Sequence, residues 1–381
     1  ADQKIPYELV SAHDTNQNAS FPEFYRIASE GRFHFSSDLK DLESEMRTFS
    51  YTQRAGGKFS FGHSSKKYFE TEQTFSASNA STSYGGSMND LSREGGTLKS
   101  GGYIGKAGVS SINLGEGYRF LNESDKYVLA ANAEGILKII YKKTKEAVRA
   151  VSLKVPVVSA TIQNGVIAYI LNSNTFVIYQ MADNRKVVES RSETTFAIDT
   201  RAASAIFIVN IVVMPMLDGK LIIVNIADSE NAKVVYLSNE KVFNNVIYLT
   251  RKGNTMIAAT PKRLITLGNG GQLEYRENIS EVAFDNGIIY LFTKEGEVIA
   301  LDSDLEKVGE SKYKFAHYAV GTAFNGRVYA LDQGGSLIVM DSALTKHKIY
   351  DVGEVDEPAF ITGTKLYKDG DIIELSKLGY E

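Results

Sequence analysis

The residues that most often do chemistry in proteins are few and scattered in this sequence. Histidine, a common metal ligand and general base, occurs five times, and no two copies are close enough in sequence for a metal pair: His13, His34, His63, His317 and His347. The chain contains no cysteine, which excludes disulfides, thiolate catalysis and cysteine-ligated zinc or iron–sulfur sites. It contains no Gly-x-Ser-x-Gly elbow either, so nothing supports a serine hydrolase.

Two pairs of carboxylates have a spacing that could bind calcium or exchange protons: Asp302 with Asp304, and Asp369 with Asp371. Both pairs stand where a strand is expected to end. Aspartate is favoured there because its side chain hydrogen-bonds nearby backbone amides. The first pair also lacks the glycine and the distal glutamate of a calcium loop. We therefore interpret all four as turn residues.

A glycine-rich stretch at residues 101–108 contains a Gly-Lys step like that of phosphate-binding loops. Such a loop needs an earlier glycine, separated from the step by four residues, and a serine or threonine after the lysine. This sequence has Ser100 and Ala107 at those positions. We interpret the stretch as a linker and a strand. The sequence therefore predicts no catalytic, no cofactor-binding and no metal-ligating residues.

Composition and charge describe an ordinary globular chain of 381 residues, long enough for two or three domains or one large one. Hydrophobic residues make up 43%, so a sizeable core is expected. The 42 basic and 46 acidic residues give a net charge of −4 without a basic block, which argues against nucleic acid or an anionic membrane surface as the main partner.

The most apolar run, residues 205–217, is interrupted by Asn210 and Pro215. It is shorter than the roughly 20 apolar residues that span a bilayer. We interpret it as core strands, and an exposed strand that binds another protein is the alternative.

From about residue 118 the sequence repeats a pattern of apolar strand, turn and apolar strand. The pattern occurs seven times, around turns at Gly135, Asn174, Gly219, Lys262, Gly296, Gly335 and Gly370. Successive turns are 39, 45, 43, 34, 39 and 35 residues apart. This spacing is close to the period of a four-stranded propeller blade, roughly 40–45 residues in the best-known repeat.

Two further markers keep the same phase. Asn-Gly steps at 164–165, 286–287 and 325–326 each precede the first strand of a hairpin, and this dipeptide suits tight turns that need positive φ. Charged stretches that begin at Asp183, Asp228 and Asp302 follow the second strand. They are typical of a turn into a polar outermost strand, because charge protects exposed sheet edges from pairing with other chains.

These patterns predict an all-β fold, a β-propeller of about seven four-stranded blades, with eight as the alternative, in residues 101–381. Residues 1–100 are predicted to form an N-terminal arm or linker, since serine and glycine are dense between residues 76 and 108. The seventh repeat lacks an outer strand before the chain ends. We expect a strand from residues 103–114 to pair with it and remove the open edge.

The predicted arm is rich in aromatic residues, whereas disordered tails have few. They are Phe21, Phe24, Tyr25, Phe33, Phe35, Phe49, Tyr51, Phe59, Phe61, Tyr68, Phe69 and Phe75. Two interpretations stay open, and a free tail is a third. In one, the rings pack back onto the side of the propeller, and in the other, the arm docks on a partner protein.

Two copies of the repeat, residues 287–302 and 326–341, resemble the quinoprotein-type or PQQ-like propeller repeat. The resemblance implies a propeller and one of two branches. The dehydrogenase branch binds pyrroloquinoline quinone with a signature tryptophan per repeat, a vicinal cysteine pair and calcium, and this chain has neither tryptophan nor cysteine. The other branch is the non-enzymatic propeller lipoprotein of bacterial outer-membrane β-barrel assembly, which the chain resembles in size. That protein has eight blades, however, and no long aromatic arm.

We therefore predict a non-catalytic scaffold of the bacterial cell envelope, without cofactor, nucleic acid or transmembrane segment. It would bind protein partners through loops on the propeller faces and through the aromatic arm. The expected location is the periplasm, and a chain that begins at Ala1 is compatible with a removed, lipid-anchored first cysteine. The alternatives are a periplasmic enzyme or electron-transfer accessory with a site in the propeller channel, and a glycan- or peptide-binding propeller that uses some of its 21 tyrosines.

Overall fold

The structure is a computed structural model, and it describes residues 64–65, 72–268 and 271–381. Its first seven strands are short: β1 (Ser64–Ser65), β2 (Thr74–Ser76), β3 (Ser81–Ser83), β4 (Met88–Leu91), β5 (Gly96–Leu98), β6 (Tyr103–Gly105) and β7 (Gly108–Ser110). Strands β4 to β7 form an antiparallel four-stranded sheet in chain order. Two 3-10 turns, Ser78–Ala80 and Leu375–Lys377, are the helical segments of the described residues.

One compact unit contains Ser92–Gly95 and Ser111–Arg276, and it holds four antiparallel sheets of four strands in chain order. The first two sheets are β8 (Tyr118–Glu123), β9 (Tyr127–Asn132), β10 (Ile136–Tyr141) and β11 (Glu146–Ser152), then β12 (Val157–Gln163), β13 (Val166–Leu171), β14 (Thr175–Gln180) and β15 (Arg185–Arg191). The next two are β16 (Ile206–Ile208), β17 (Ile211–Pro215), β18 (Lys220–Asn225) and β19 (Asp228–Tyr236), then β20 (Tyr248–Lys252), β21 (Thr255–Thr260), β22 (Arg263–Gly268) and β23 (Gly271–Arg276).

The other unit contains Gly96–Ser110, Glu277–Glu381 and the described residues up to Leu91. Besides the sheet of β4 to β7 it holds three more, built from β24 (Ile279–Asp285), β25 (Ile288–Thr293), β26 (Glu297–Leu301) and β27 (Lys307–Tyr313), from β28 (Tyr318–Phe324), β29 (Arg327–Asp332), β30 (Ser336–Asp341) and β31 (His347–Asp351), and from β32 (Phe360–Thr362), β33 (Lys365–Lys368) and β34 (Asp371–Glu374). The three N-terminal strands join these sheets: β1 pairs with β27, β2 with β31 and β3 with β34.

The described residues therefore form eight sheets with at least four strands each, the repeating unit of an eight-bladed β-propeller. All seven hairpins predicted from the repeat are present, as the two central strands of seven sheets. The fourth strands β15 and β19 overlap the predicted charged stretches, and β27 begins at the end of the third stretch. Strand β25 is buried at every position, whereas β27 alternates between buried and half-buried residues, as expected for a central and an outer strand.

The predicted turns explain how each hairpin closes. The three Asn-Gly steps have positive φ at both residues, for example 50° at Asn164 and 74° at Gly165, which matches the right-handed twist of the strands they connect. In most of the sheets, the turn between the second and third strands has a single left-handed residue. In the turn between β25 and β26 this residue is Gly296, with φ of 87°, and its carbonyl points to the fourth strand. There it accepts the N–H of Tyr313 at 2.8 Å. A Cβ at Gly296 would lie 2.3 Å from the Tyr313 carbonyl oxygen, so only glycine fits.

The eighth sheet is the part of the fold that the sequence patterns missed. Strands β4 to β7 are three or four residues long, which is too short for an alternation of apolar and polar residues to show. The predicted division at residue 100 falls between β5 and β6 of this sheet. Of the predicted arm, the structure describes residues 64–65 and 72–100, and the rest lies outside the described residues.

The prediction for the missing outer strand was wrong in its residues. Residues 103–114 do not pair with the last sheet, because β6 and β7 pair with each other in a sheet of their own. Strand β3 takes that place and runs antiparallel to β34, with Thr82 opposite Ile372. Its sequence, Ser-Thr-Ser, is polar because it forms an outer edge, so no hydrophobic signal marks it.

Replacing Thr82 by proline is expected to destabilise the protein by about 2–3 kcal/mol, since it removes a ladder hydrogen bond from β3. Tyr84 N–H donates to Gly370 O at 2.9 Å, and hydrogen-bonded pairs alternate along an antiparallel ladder, so Thr82 N–H bonds to Ile372 whereas Ser83 N–H points outward. Urea unfolding measures the effect. Ser83→Pro is the matched control and should cost less than about 1 kcal/mol, and equal losses would contradict this pairing.

The core lies between neighbouring sheets of each unit. One cluster joins the sheet of β16 to β19 with the sheet of β20 to β23, and it includes Ile211, Leu221, Ile223, Met256 and Ile265. The largest fully buried side chains are three tyrosines, Tyr290, Tyr313 and Tyr329. Tyr290 donates to Ser342 O at 2.8 Å, and burial raises the pKa of this phenol. No helical segment among the described residues is long and apolar enough to cross a membrane.

Candidate functional site

The histidines do not form a site in the part of the chain that the structure describes. His317 is exposed before β28, and its backbone N–H donates to Asp332 Oδ1 at 2.8 Å. His347 begins β31 and packs edge-on against Tyr313, with ring centroids 5.8 Å apart. Burial lowers the pKa of His347, and Glu72, 3.9 Å from its Nε2, acts in the opposite direction. His13, His34 and His63 lie outside the described residues.

The first carboxylate pair has the structural role that the sequence predicted. Asp302 Oδ1 accepts the backbone N–H groups of Asp304 and Glu306, each at 2.9 Å. This closes the connection between β26 and β27. Among the described residues, no three His, Asp or Glu side chains converge as metal ligands.

In the second pair Asp369 stabilises a turn, whereas Asp371 is the first residue of strand β34 and not a turn residue as predicted. Asp369 Oδ1 accepts the N–H of Glu357 at 2.8 Å, and its Oδ2 accepts from Lys368 Nζ at 2.8 Å. The pKa of Asp369 is lower than that of an ordinary aspartate. Burial alone would raise it, but the hydrogen bonds from Lys368 and from two backbone amides stabilise the charged carboxylate and outweigh the effect of burial.

The glycine-rich stretch and the apolar run are both β-structure. Residues 103–110 are the hairpin of β6 and β7, and Lys106 and Ala107 stand in its turn rather than at the start of a helix. In the apolar run, β17 is buried along its whole length and contributes to the core on both of its faces. The interpretation as core strands is confirmed.

The feature that stands out in the first unit is a pair of long connections, which we call the paired loops. One runs through residues 192–205, from β15 to β16, and the other through residues 237–247, from β19 to β20. Each leads from the outer strand of one sheet to the first strand of the next. They are the longest connections that the structure describes in this unit.

Hydrogen bonds fasten the paired loops to each other. Phe243 N–H donates to Ala197 O at 3.0 Å. Asn245 binds the backbone of Asp199 in both directions, because its Oδ1 accepts the Asp199 N–H at 2.7 Å and its Nδ2 donates to Asp199 O at 2.9 Å. Asp199 is held in turn by Arg201, whose NH2 group lies 2.6 Å from Asp199 Oδ2. Two loops with so many mutual bonds form one fixed surface.

The turn at Asp218 and Gly219, between β17 and β18, is hydrogen-bonded to both of the paired loops. Asp218 Oδ2 accepts from Ser192 Oγ at 2.7 Å and from Lys220 Nζ at 2.9 Å. Asn244 Nδ2 donates to Asp218 O at 3.0 Å. Gly219 has φ of 79°, which favours glycine, and a Cβ there would lie 2.5 Å from Asn244 Nδ2, so a larger residue would displace this side chain of the second loop.

The group of Ser192, Lys220 and Asp218 invites comparison with Ser-Lys nucleophiles, but its geometry is structural. Ser192 Oγ donates to the carboxylate and accepts from Lys220 Nζ at 3.0 Å. The lysine is paired with Asp218, and all three side chains are nearly buried. A hydroxyl that already donates to a carboxylate is not aimed at a substrate.

The paired loops present three apolar side chains to solvent. Phe196 is 89% exposed, Phe243 49% and Val242 47%. Phe243 also has a φ of 50°, in the left-handed region that a bulky side chain seldom adopts and that costs about 1–2 kcal/mol. Exposed aromatic groups on a fixed, strained backbone are unfavourable for stability alone, and such features concentrate at functional sites.

The second unit carries a similar feature in a similar position. Phe315 lies in the connection from outer strand β27 to β28, is 71% exposed and has φ of 66°. Lys314 Nζ lies 4.7 Å from the centre of its ring. A backbone strained to expose phenylalanine therefore occurs in connections of the same type in both units.

The spacing of the repeat in the sequence holds a signal for the paired loops. The turns at Asn174, Gly219 and Lys262 are 45 and 43 residues apart, compared with 34–39 residues between the other turns. The additional residues belong to the two long connections. Their side chains could not be assigned from the pattern, because exposed and buried phenylalanines look alike in sequence.

Comparisons with known proteins agree with this architecture. No family model matches the chain. Among solved structures, it is similar to BamB from Moraxella catarrhalis, with a TM-score of 0.60 and 13% identity over 77% of this chain and 97% of that one. It is also similar to the computationally designed protein Ika8, with a TM-score of 0.56 and 13% identity over 76% of this chain and 96% of that one. The likeness is one of fold.

Two curated relatives extend the comparison to sequence. Both are named plasminogen-binding protein PgbB, from the Helicobacter pylori strains J99 / ATCC 700824 and ATCC 700392 / 26695. Each is 24% identical to this chain over 322 residues, which covers 72% of this chain. The matched region is 59% of the relatives' own length, so the chain spans less than two thirds of them.

Proposed function

We propose that this chain is a non-catalytic, protein-binding propeller of the bacterial cell envelope, and that the paired loops are a contact surface for its partner. The observation that carries the proposal is the exposure of Phe196, Val242 and Phe243 on two loops that hydrogen bonds hold together. Burying an exposed phenylalanine in an interface contributes about 1.5–3 kcal/mol, and a prearranged backbone adds little ordering cost.

The comparisons support the class of function. The curated relatives are named for binding a protein, and BamB shares the fold. The residues that could do chemistry serve turns and loop anchors instead, as Asp302, Asp369 and Ser192 illustrate. The envelope location and a role in assembly are parts of the proposal that rest on these distant likenesses.

Replacing Phe196 by a photo-crosslinking phenylalanine analogue is expected to trap one partner in cells of the source organism. The same analogue at Phe243 should trap the same protein, because both rings belong to one surface. Adding Phe243→Ser to the variant that carries the analogue at Phe196 should lower the yield about 10-fold or more, as the loss of an interface aromatic does. Immunoblotting and mass spectrometry measure the yield and identify the partner.

The matched control places the analogue at Val109, an exposed residue of β7 in the other unit. An equal yield of the same product at Val109 would contradict a specific surface on the paired loops. Thermal unfolding of Phe196→Ser should match that of the unchanged protein within about 0.5 kcal/mol, since an exposed side chain contributes little to stability.

The identity of the trapped protein separates two partner classes. An envelope protein from the same cell would support the scaffold proposal as stated. Purified plasminogen, added to the isolated protein, is the defined probe that the relatives' name suggests. Crosslinking of plasminogen at Phe196 but not at Val109 would assign the paired loops to that partner instead.

A further inference from the structure

The chain itself shows how the sheet edges of the second unit accept an additional strand. Strand β1 lies parallel to outer strand β27, with Ser64 opposite Lys312. Strand β2 lies parallel to outer strand β31, with Phe75 opposite Tyr350. Both additions are short, and both make their sheet five-stranded. An outer edge of this fold is therefore a surface on which an extended segment can bind through its main chain.

Outer strand β11, in the first unit, has the same place in its sheet as β27 and β31 and has no fifth strand among the described residues. Five of the seven residues of β11 are exposed. One of them is Val148, near the middle of the strand, whose side chain is 49% exposed. Edge strands are usually protected by charge, and β15 carries Arg185, Lys186, Glu189 and Arg191. The last three residues of β11 are Ala150, Val151 and Ser152, without a charge.

The backbone of this end of β11 offers hydrogen bonds to a further strand. Leu153 N–H donates to Gly135 O at 2.8 Å, and Val151 is opposite Leu137 in the same ladder. Since hydrogen-bonded pairs alternate in an antiparallel ladder, Ala150 and Ser152 direct their N–H and C=O groups away from β10. These groups form the row of donors and acceptors that strand addition uses.

Strand β11 is also held in place for such a contact. Arg149 reaches the next sheet, where NH1 donates to Tyr179 Oη at 2.8 Å and to Asn184 Oδ1 at 3.3 Å. Because the guanidinium group of Arg149 is hydrogen-bonded within the unit, it does not place a charge at the edge of β11 that would oppose strand pairing. A fixed edge needs little ordering when a ligand binds.

We propose that the free edge of β11 binds an extended segment of a partner protein as a fifth strand, parallel to β11. The partner would exchange main-chain hydrogen bonds with Ala150 and Ser152 and place an apolar side chain near Val148. This inference does not depend on the paired loops, because a different strand and different groups carry it.

The test uses phage-displayed random dodecapeptides, selected on the full-length protein and resynthesised. Ala150→Pro removes an outward N–H without removing a bond to β10, and it should weaken binding of the selected peptides at least 10-fold. Ala150→Ser changes the side chain but keeps the N–H, so it should bind as the unchanged protein does. Matching thermal unfolding of the two variants excludes a folding defect, since edge strands tolerate proline at outward positions.

Two further readouts identify the binding mode. Methylating alternate backbone nitrogens of a selected peptide should abolish binding, and the amides of Ala150 and Ser152 should become protected from hydrogen exchange in the complex. The chain has no cysteine, so a cysteine at the peptide's N-terminus should form a disulfide with Glu146→Cys at the start of β11 in preference to Ser152→Cys at its end. Peptides that bind Ala150→Pro as well as the unchanged protein, or that prefer Ser152→Cys, would overturn the proposal.

Discussion

Replacing Asn174 by alanine is expected to lower the free energy of unfolding by about 3 kcal/mol, a large effect for a polar residue in a turn. Asn174 is fully buried and occupies the left-handed position of the turn between β13 and β14, with φ of 59°. Asparagine accepts this conformation more readily than alanine, which pays about 1 kcal/mol or more there.

The remaining loss comes from two hydrogen bonds, one to the connection that follows the same sheet and one to the neighbouring sheet. Asn174 Nδ2 donates to Glu193 O at 2.8 Å, at the start of the first of the paired loops. Its Oδ1 accepts the N–H of Leu217 at 2.9 Å, next to the turn that supports both loops. A buried backbone group that loses its partner costs about 1–3 kcal/mol, and alanine leaves the buried N–H of Leu217 and the part-buried carbonyl of Glu193 without this partner.

Three substitutions separate these contributions when unfolding is followed in urea. Asn174→Gly keeps the left-handed turn but loses both hydrogen bonds, so it should be destabilised by about 1 kcal/mol less than Asn174→Ala. Asn174→Asp keeps the acceptor for Leu217 and loses the donor to Glu193. If Asn174→Gly were as stable as the unchanged protein, the two bonds would contribute nothing and the proposed link between the sheets would be refuted.

Asn174 also shows what the repeat pattern could and could not reveal. The period located it correctly in a tight turn, because a left-handed position repeats at Gly135, Gly219 and Gly296. The sequence gives no sign that its side chain bridges two sheets, since the partners Glu193 and Leu217 are backbone groups whose identity leaves no trace in the pattern. Local turn chemistry is readable from sequence, whereas contacts between repeats depend on packing.

The polar and short strands were the least predictable part of the fold. Strand β3 has no apolar residue, and β5 to β7 are three residues long, so neither period nor hydrophobicity marks them as parts of a sheet, although a single strand was expected within residues 103–114. The paired loops were missed for a related reason. Phe196 and Phe243 would be expected in a core, and only the fold shows that they face solvent.

Replacing Lys233 by methionine is expected to raise the free energy of unfolding at pH 7 by about 2 kcal/mol. Lys233 lies in β19 opposite Ile223 and is 2% exposed. Its Nζ is buried without a hydrogen-bond partner in the structure as described. Burial lowers the pKa of this ammonium to about 8, because the charged form loses its hydration. Methionine fills a similar volume without a charge.

The pH dependence follows from the direction of this shift. The ordinary pKa of a lysine is about 10.4, so between pH 8 and that value the unfolded chain binds more protons at this residue than the folded protein does. The stability that the unchanged protein lacks at pH 7 should therefore return as the pH rises through this window. The advantage of Lys233→Met should be full below pH 8 and shrink towards zero above about pH 10.

Urea unfolding of both proteins at pH 7, 9 and 10 measures this convergence, with Lys143→Met as the control. Lys143 is exposed in the turn between β10 and β11, so its replacement should change stability by less than about 0.5 kcal/mol at every pH. A gain for Lys233→Met that stays constant from pH 7 to 10 would assign the effect to packing rather than charge. A loss of stability at pH 7 would mean that the ammonium has a favourable native interaction, and the lowered pKa would be refuted.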